Sequence, residues 1–253
     1  MRIVHLGPLT GLLGQLALLL LLAGTVGLTG TGWLVGAAWA GAATALLSQG
    51  LERAGSDSLG AANRVTLTRT VLVGGVAALV ADAFVRPAAV VPMVLLAAVA
   101  LVLDGVDGWV ARRTGTASTL GARFDMEVDA FLILVLSLHV AREVGLGVLV
   151  IGAARYLFVA AAWLLPWMRA TLPARYWRKP VAATQGVVLT LVATDLLPPL
   201  ASLAAIVVAL ALLAESFGRD VWWLRRQHRS LAPEPAVIQA EPGQALSAPA
   251  GSP

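Results

Sequence analysis

The stretch DGVDGWVARRTGTASTLGARFDMEVD, residues 104 to 129, holds five of the chain's 14 acidic residues in 26 positions. It follows the apolar run VVPMVLLAAVALVL and precedes AFLILVLSL. Asp104 and Asp107 stand three apart, and Asp125 and Asp129 four apart, so on helices each pair shares one face. Two helix ends then present four carboxylates to one another. A charge at membrane depth costs at least about 2.5 to 3.5 kcal/mol, so four of them require a compensating partner. Cations are the natural one. With no Cys in the chain and no His nearby, the all-oxygen donor set suits Mg²⁺, Mn²⁺ or Ca²⁺ rather than zinc. Four negative charges balance two divalent ions. Gly108 follows Asp107, and Gly121 lies four before Asp125, each where a missing side chain lets a ligand or a neighbouring backbone come close. Arg112 follows Gly108 by one turn. Carboxylates, metals, an Arg and close-approach glycines together describe a site for a diphosphate.

The elements that must carry these residues are membrane spans. The chain is 58% hydrophobic and 13% charged with a mean hydropathy of +0.83, against about 25% charged residues in an average soluble domain. Taking about 20 apolar residues per crossing predicts roughly eight spans, near 10 to 29, 31 to 49, 66 to 86, 88 to 108, 126 to 144, 146 to 167, 180 to 198 and 199 to 217. The expected fold is an all-α polytopic transmembrane bundle. A leading apolar segment of this kind also suits a signal peptide, but no small-x-small cleavage site follows it, so a retained helix is expected.

Seventeen of the 18 basic residues are Arg, clustered between apolar runs, a pattern of membrane orientation rather than of nucleic-acid binding. Arg53, Arg64, Arg112, Arg113, Arg123, Arg169, Arg175, Arg178 and Lys179 fall on one side, and Arg86 and Arg142 on the other. The positive-inside rule therefore puts the acidic stretch on the cytoplasmic side of the cell membrane. Residues 231 to 253 are rich in Pro, Ala, Ser and Gly without periodicity and are expected to form a disordered cytoplasmic tail.

Written as a pattern, the stretch is D-x-x-D-G-x-x-A-R, eight residues, then G-x-x-x-D-x-x-x-D, filled by Asp104, Asp107, Gly108, Ala111, Arg112, Gly121, Asp125 and Asp129. It resembles the signature of the CDP-alcohol phosphotransferases. Upstream, ANRVTLTR, with Asn63, Thr66 and Arg69, is similar to that family's P-N-x-x-T-x-x-R segment, with Ala62 in the place of the Pro. The resemblance implies a six-helix catalytic core over residues 50 to 230, preceded by two further transmembrane helices over residues 1 to 49.

It further implies transfer of a phosphatidyl-type group from a CDP-linked lipid to an alcohol, with release of CMP, using two Mg²⁺ or Mn²⁺ ions. Asp104, Asp107, Asp125 and Asp129 would hold the metals, and Asp129 would also take the proton of the alcohol. Asn63, Thr66, Arg69, Gly108, Ala111, Arg112 and Gly121 would lie near the nucleotide or its phosphates. The expected partners are the CDP-lipid, the acceptor, membrane lipids and a second copy of the chain, with no nucleic acid.

Some residues admit two readings. Arg155 lies in the apolar run VLVIGAARYLFVAAAW, where an intramembrane Arg either serves function or pairs with an Asp. Glu127 and Arg113 read as solvated or ion-paired helix ends, and His139 as a packed side chain. Gln185 either bonds between helices or contacts the acceptor. Asp82 and Asp195 fall at span ends, where solvation accounts for them. Arg155, Lys179 and Gln185 are thus candidate acceptor contacts, and the positive charge leans toward a phosphorylated acceptor.

Two rival functions are weighed against this one. Intramembrane prenyltransferases also use paired Asp motifs with Mg²⁺, but their first motif begins N-D-x-x-D, and Leu103 precedes Asp104 here. A cation-coupled transporter would scatter its carboxylates over several helices and carry internal repeats.

Overall fold

The structure is a computed structural model that describes residues 6–54, 61–114, 119–170 and 177–230. The side chains of residues 6, 53, 54, 61–64, 107–112, 114, 119, 120 and 230 lie outside the described set. So does the 231–253 segment expected to be disordered. Among the described residues there are eight α-helices and no strand: α1 (Leu6–Val26), α2 (Gly30–Ala54), α3 (Ala61–Asp82), α4 (Val90–Thr114), α5 (Thr119–Val144), α6 (Leu149–Leu164), α7 (Arg178–Val192) and α8 (Pro199–Ser230).

Helix starts are written in the sequence by proline. Pro8, Pro92, Pro180 and Pro199 each sit in the first turn of a helix, where the missing N–H has no intrahelical acceptor to lose. Gly27 ends α1 with a positive φ of 75°, and its N–H reaches back to the Leu22 and Ala23 carbonyls, a left-handed cap that few other residues adopt without strain.

Among the described residues, five helices are long and apolar enough to cross a membrane: α1, α2, α3, α6 and α8. The other three helices fall where spans are expected but are less uniformly apolar. Among the described side chains the apolar part of α4 is Val90–Val106; α5 carries acidic residues, and α7 has 15 residues. The elements that bear the polar chemistry are those whose composition departs most from a plain span. In the opposite direction, α8 continues to Ser230 rather than stopping near 217, because beyond its apolar half it buries one face, including Asp220 and Leu224, and exposes Arg225 and Arg226.

The bundle is built around α3. Two thirds of its span is buried, against 17 to 28% for the other four, and it packs on α1, α2, α4 and α5. Lipid tails are as apolar as leucine, so helix association within a bilayer rests on close packing and polar contacts rather than on water exclusion. Gly152 of α6 shows the close packing. A Cβ there would lie 2.7 Å from the Leu134 Cα of α5, so only glycine permits that approach.

Asp82 supplies the polar contact and corrects the reading of that residue as solvated. It is only 2% exposed. Its carboxylate accepts from the Thr29 N–H (3.1 Å), the Thr29 hydroxyl and the Gly32 N–H (3.2 Å), and it pairs with Arg86 at 2.6 Å. Arg86 in turn donates to the Val26 carbonyl at 2.8 Å. The end of α3 thereby caps the start of α2 across more than 50 residues of sequence, satisfying N–H groups that a helix leaves orphaned. Asp195, in the turn between α7 and α8, is exposed, as a solvated residue should be.

Candidate active site

Arg69 is the largest fully buried polar residue, at 0% exposure. It lies on α3, three residues after Thr66 and one before Thr70, both also buried. Its Nε donates to the Ala100 carbonyl of α4 at 3.1 Å. Its Nη1 bonds Asp125 and stands 3.0 Å from Asp104, while its Nη2 bonds Asp129. A guanidinium can do this because its N–H groups form a rigid fork that meets several acceptors at once. One buried cation thus gathers carboxylates from two helices.

The carboxylates themselves converge. Asp104 of α4 and Asp125 and Asp129 of α5 each offer an oxygen within 4.8 Å of the others. All three are partly exposed, at 38, 30 and 34% of the side chain, so they face an opening while Arg69 lies behind them. Three carboxylates against one guanidinium leave two negative charges among the described residues. A hard divalent cation fits such an oxygen-only, anionic set.

This arrangement predicts the behaviour of an Arg69→Met protein, which keeps an unbranched apolar stem and loses the charge. Removing one partner of a buried ionic cluster costs about 3 to 5 kcal/mol. The thermal midpoint of the variant in detergent is expected to fall and to rise again steeply with added Mg²⁺, far more than for the wild type. Equal Mg²⁺ dependence in the two proteins would contradict the role of Arg69 as internal counter-ion.

The opening is a cavity of about 580 Å³ between α4, α5 and α7. Asp104, Asp125 and Asp129 line it, and α7 contributes Arg178 and Lys179, with Leu101 and Met126 among its apolar walls. The size is that of a small-molecule site, and opposite charges flank an apolar interior. Arg178, counted in the sequence among the cytoplasmic charges that lean toward a phosphorylated acceptor, also bonds Asp220 of α8 at 2.7 Å. No local pattern around Arg178 signals this, since the partner lies 42 residues away.

The remaining candidates divide. Lys179 lies at the cavity, whereas Gln185 is buried between α7 and α8 and donates to the Ala209 carbonyl at 3.1 Å, the interhelical alternative. Arg155 is not among the residues that line the cavity. It pairs with Glu127 of α5 rather than with an Asp, which corrects the expected partner and gives Glu127 its ion pair. Glu127 lies two residues from both Asp125 and Asp129, a spacing that turns it away from their helical face. His139 is packed at 1% exposure. Thr66 is buried beside Arg69, and Gly121 lies one turn before Asp125 on α5. Asp107, Gly108, Ala111 and Arg112 belong to the C-terminal part of α4 and Asn63 to the first turn of α3, but their side chains lie outside the described residues.

No curated protein and no solved structure matches the chain at significance. A family model does: the one described as CDP-alcohol phosphatidyltransferase covers residues 59–215, from just before α3 into α8. That segment is more than half of the chain and contains Arg69, all three converging carboxylates and every residue that lines the cavity. Members generally use a divalent metal, in keeping with the acidic cluster. With its eight helices, its five apolar spans and this match, the chain is an integral membrane protein of the CDP-alcohol phosphatidyltransferase family.

Proposed function

We propose that this protein transfers a phosphatidyl-type group from a CDP-linked lipid, CDP-diacylglycerol in the first instance, to an alcohol and releases CMP. The observation that carries the reading is the convergence of Asp104, Asp125 and Asp129 on one wall of a cavity that Arg178 and Lys179 also line. Asp104, Asp107, Asp125 and Asp129 would hold two divalent cations, Mg²⁺ or Mn²⁺. Ions bound there would neutralise the diphosphate and polarise the phosphorus under attack.

The chain's own residues supply the rest. The alcohol oxygen forms a bond to the lipid-side phosphorus as the bond from that phosphorus to the CMP oxygen breaks. The hydroxyl proton passes to the Asp129 carboxylate, because an alcohol is a weak nucleophile at neutral pH. CMP leaves with the bridging oxygen. Lys179 and Arg178 offer positive charge to a phosphate of the donor or of the acceptor, which favours phosphorylated alcohols as acceptors. Asn63, Thr66, Gly108, Ala111, Arg112 and Gly121 complete the nucleotide side in this reading. The clustering of Arg on one side of the spans supports a cytoplasmic site.

The test is CMP release by the purified protein with CDP-diacylglycerol and a panel of glycerol 3-phosphate, inositol phosphate, serine and phosphatidylglycerol. Release is expected with one phosphorylated acceptor at rates at least about tenfold above the others, the discrimination that one well-placed charged contact gives. No CMP from any pair would leave the prenyltransferase and transporter alternatives standing.

A further inference from the structure

We propose that Trp39, on α2 and outside the family-matched segment, is a positioning residue for the carboxylate site. The inference rests on reading Asp104, Asp125 and Asp129 as a divalent-cation site. The Trp39 Nε1–H donates to the Thr70 carbonyl of α3 at 2.9 Å. Its ring stacks on Phe131 of α5, with centroids 3.8 Å apart and planes within 4°.

Thr70 follows Arg69 directly, and Phe131 lies two residues after Asp129. One indole therefore touches both helices that carry the Arg69–Asp129 ion pair, α3 through a backbone carbonyl and α5 through a side-chain ring. The approach depends on Gly74 of α3, where a Cβ would lie 2.6 Å from Trp39 Cδ1. The hairpin that bears Trp39 is also tied down at its far end, where Asp82 caps α2.

Two features make Trp39 more than one of many packing contacts. Its contacts are directional, a hydrogen bond to one helix and a stacked ring to the other, so they fix rotation and separation together. They also act on charged groups whose use depends on geometry, since metal sites typically lose about 10- to 100-fold in affinity when a residue that orients the ligands is removed. The two N-terminal helices thereby acquire a role in setting the spacing between α3 and α5.

The experiment uses the full-length protein in lipid nanodiscs and two readouts: Mn²⁺ affinity by electron paramagnetic resonance, and kcat and KM for CDP-diacylglycerol. Trp39→Leu is expected to weaken Mn²⁺ binding about tenfold and to lower kcat by a similar factor with KM nearly constant. Trp39→Phe keeps the stack but loses the bond to Thr70, and should recover only part of both. A control, Val192→Ala in the buried end of α7, should lower the thermal midpoint and leave both readouts unchanged.

Wild-type Mn²⁺ affinity and kcat in a folded Trp39→Leu protein would overturn the proposal. If that variant does not fold, Phe131→Leu decides instead: it removes only the stack, and normal Mn²⁺ affinity there would overturn the proposal equally. If the wild type binds Mn²⁺ yet releases no CMP, the Mn²⁺ comparison still tests Trp39, and only the proposed reaction fails. Absence of Mn²⁺ binding by the wild type would end both.

Discussion

The Asp129→Asn protein is expected to release CMP about 10² to 10⁴ times more slowly than the wild type, the usual cost of losing a general base. The substitution keeps the side-chain shape and an oxygen donor but removes the base and one negative charge. CDP-lipid binding in the presence of Mg²⁺ should suffer less, because Asp104 and Asp125 still converge beside Asp129. Asp104→Asn should instead impair binding and turnover together, as the loss of a ligand would. Equilibrium binding of labelled CDP-diacylglycerol beside a CMP-release assay separates the two outcomes. Near-normal release by Asp129→Asn would mean that the proton goes to another acceptor, such as the substrate's own phosphate.

Removing divalent cations should also have a large effect. Excess chelator is expected to lower CMP release by more than about 10³-fold, with recovery on adding Mg²⁺ or Mn²⁺, because the converging carboxylates would otherwise repel a diphosphate. Arg69 answers only one of the three converging carboxylate charges, so a second polyanion would meet net repulsion. Full turnover in chelator would exclude a metal role for the cluster. The same titration, followed by thermal midpoint, should show the chelated protein still folded, since Arg69 remains in place.

Asp125 and Asp129 were legible as a pair because a four-residue spacing is converted into a shared face by helix geometry alone. Asp104 joins them from the neighbouring helix, while the side chain of Asp107 lies outside the described residues. Arg69 was legible as a residue of interest but not as their counter-ion, because its partners lie 35 to 60 residues away along the chain. Asp82 was misread for a related reason. A carboxylate at a span end is ordinarily solvated, and only the docking of α2 makes it a cap.

Hydropathy marks how much of a helix is apolar but not which of its apolar faces meets protein and which meets lipid. Trp39 and Leu34 belong to the same helix, yet the first stacks on Phe131 and the second is 71% exposed. The length of α8 escaped the reading for a different reason: its second half is amphipathic rather than apolar, so a span criterion stops too early.

The shortness of α7 bears on how a lipid substrate arrives. At about 1.5 Å per residue its 15 residues rise only about 22 Å, against about 30 Å for the hydrocarbon core of a bilayer. A membrane meeting so short a helix thins beside it, at a modest cost per ångström of mismatch. Thinning of that kind would bring headgroups deeper beside the helix that opens with Arg178 and Lys179 and lines the cavity. In the proposed reaction, a lipid with two phosphates in its headgroup would then reach the carboxylates by sliding sideways within its own leaflet, its acyl chains never leaving the oil.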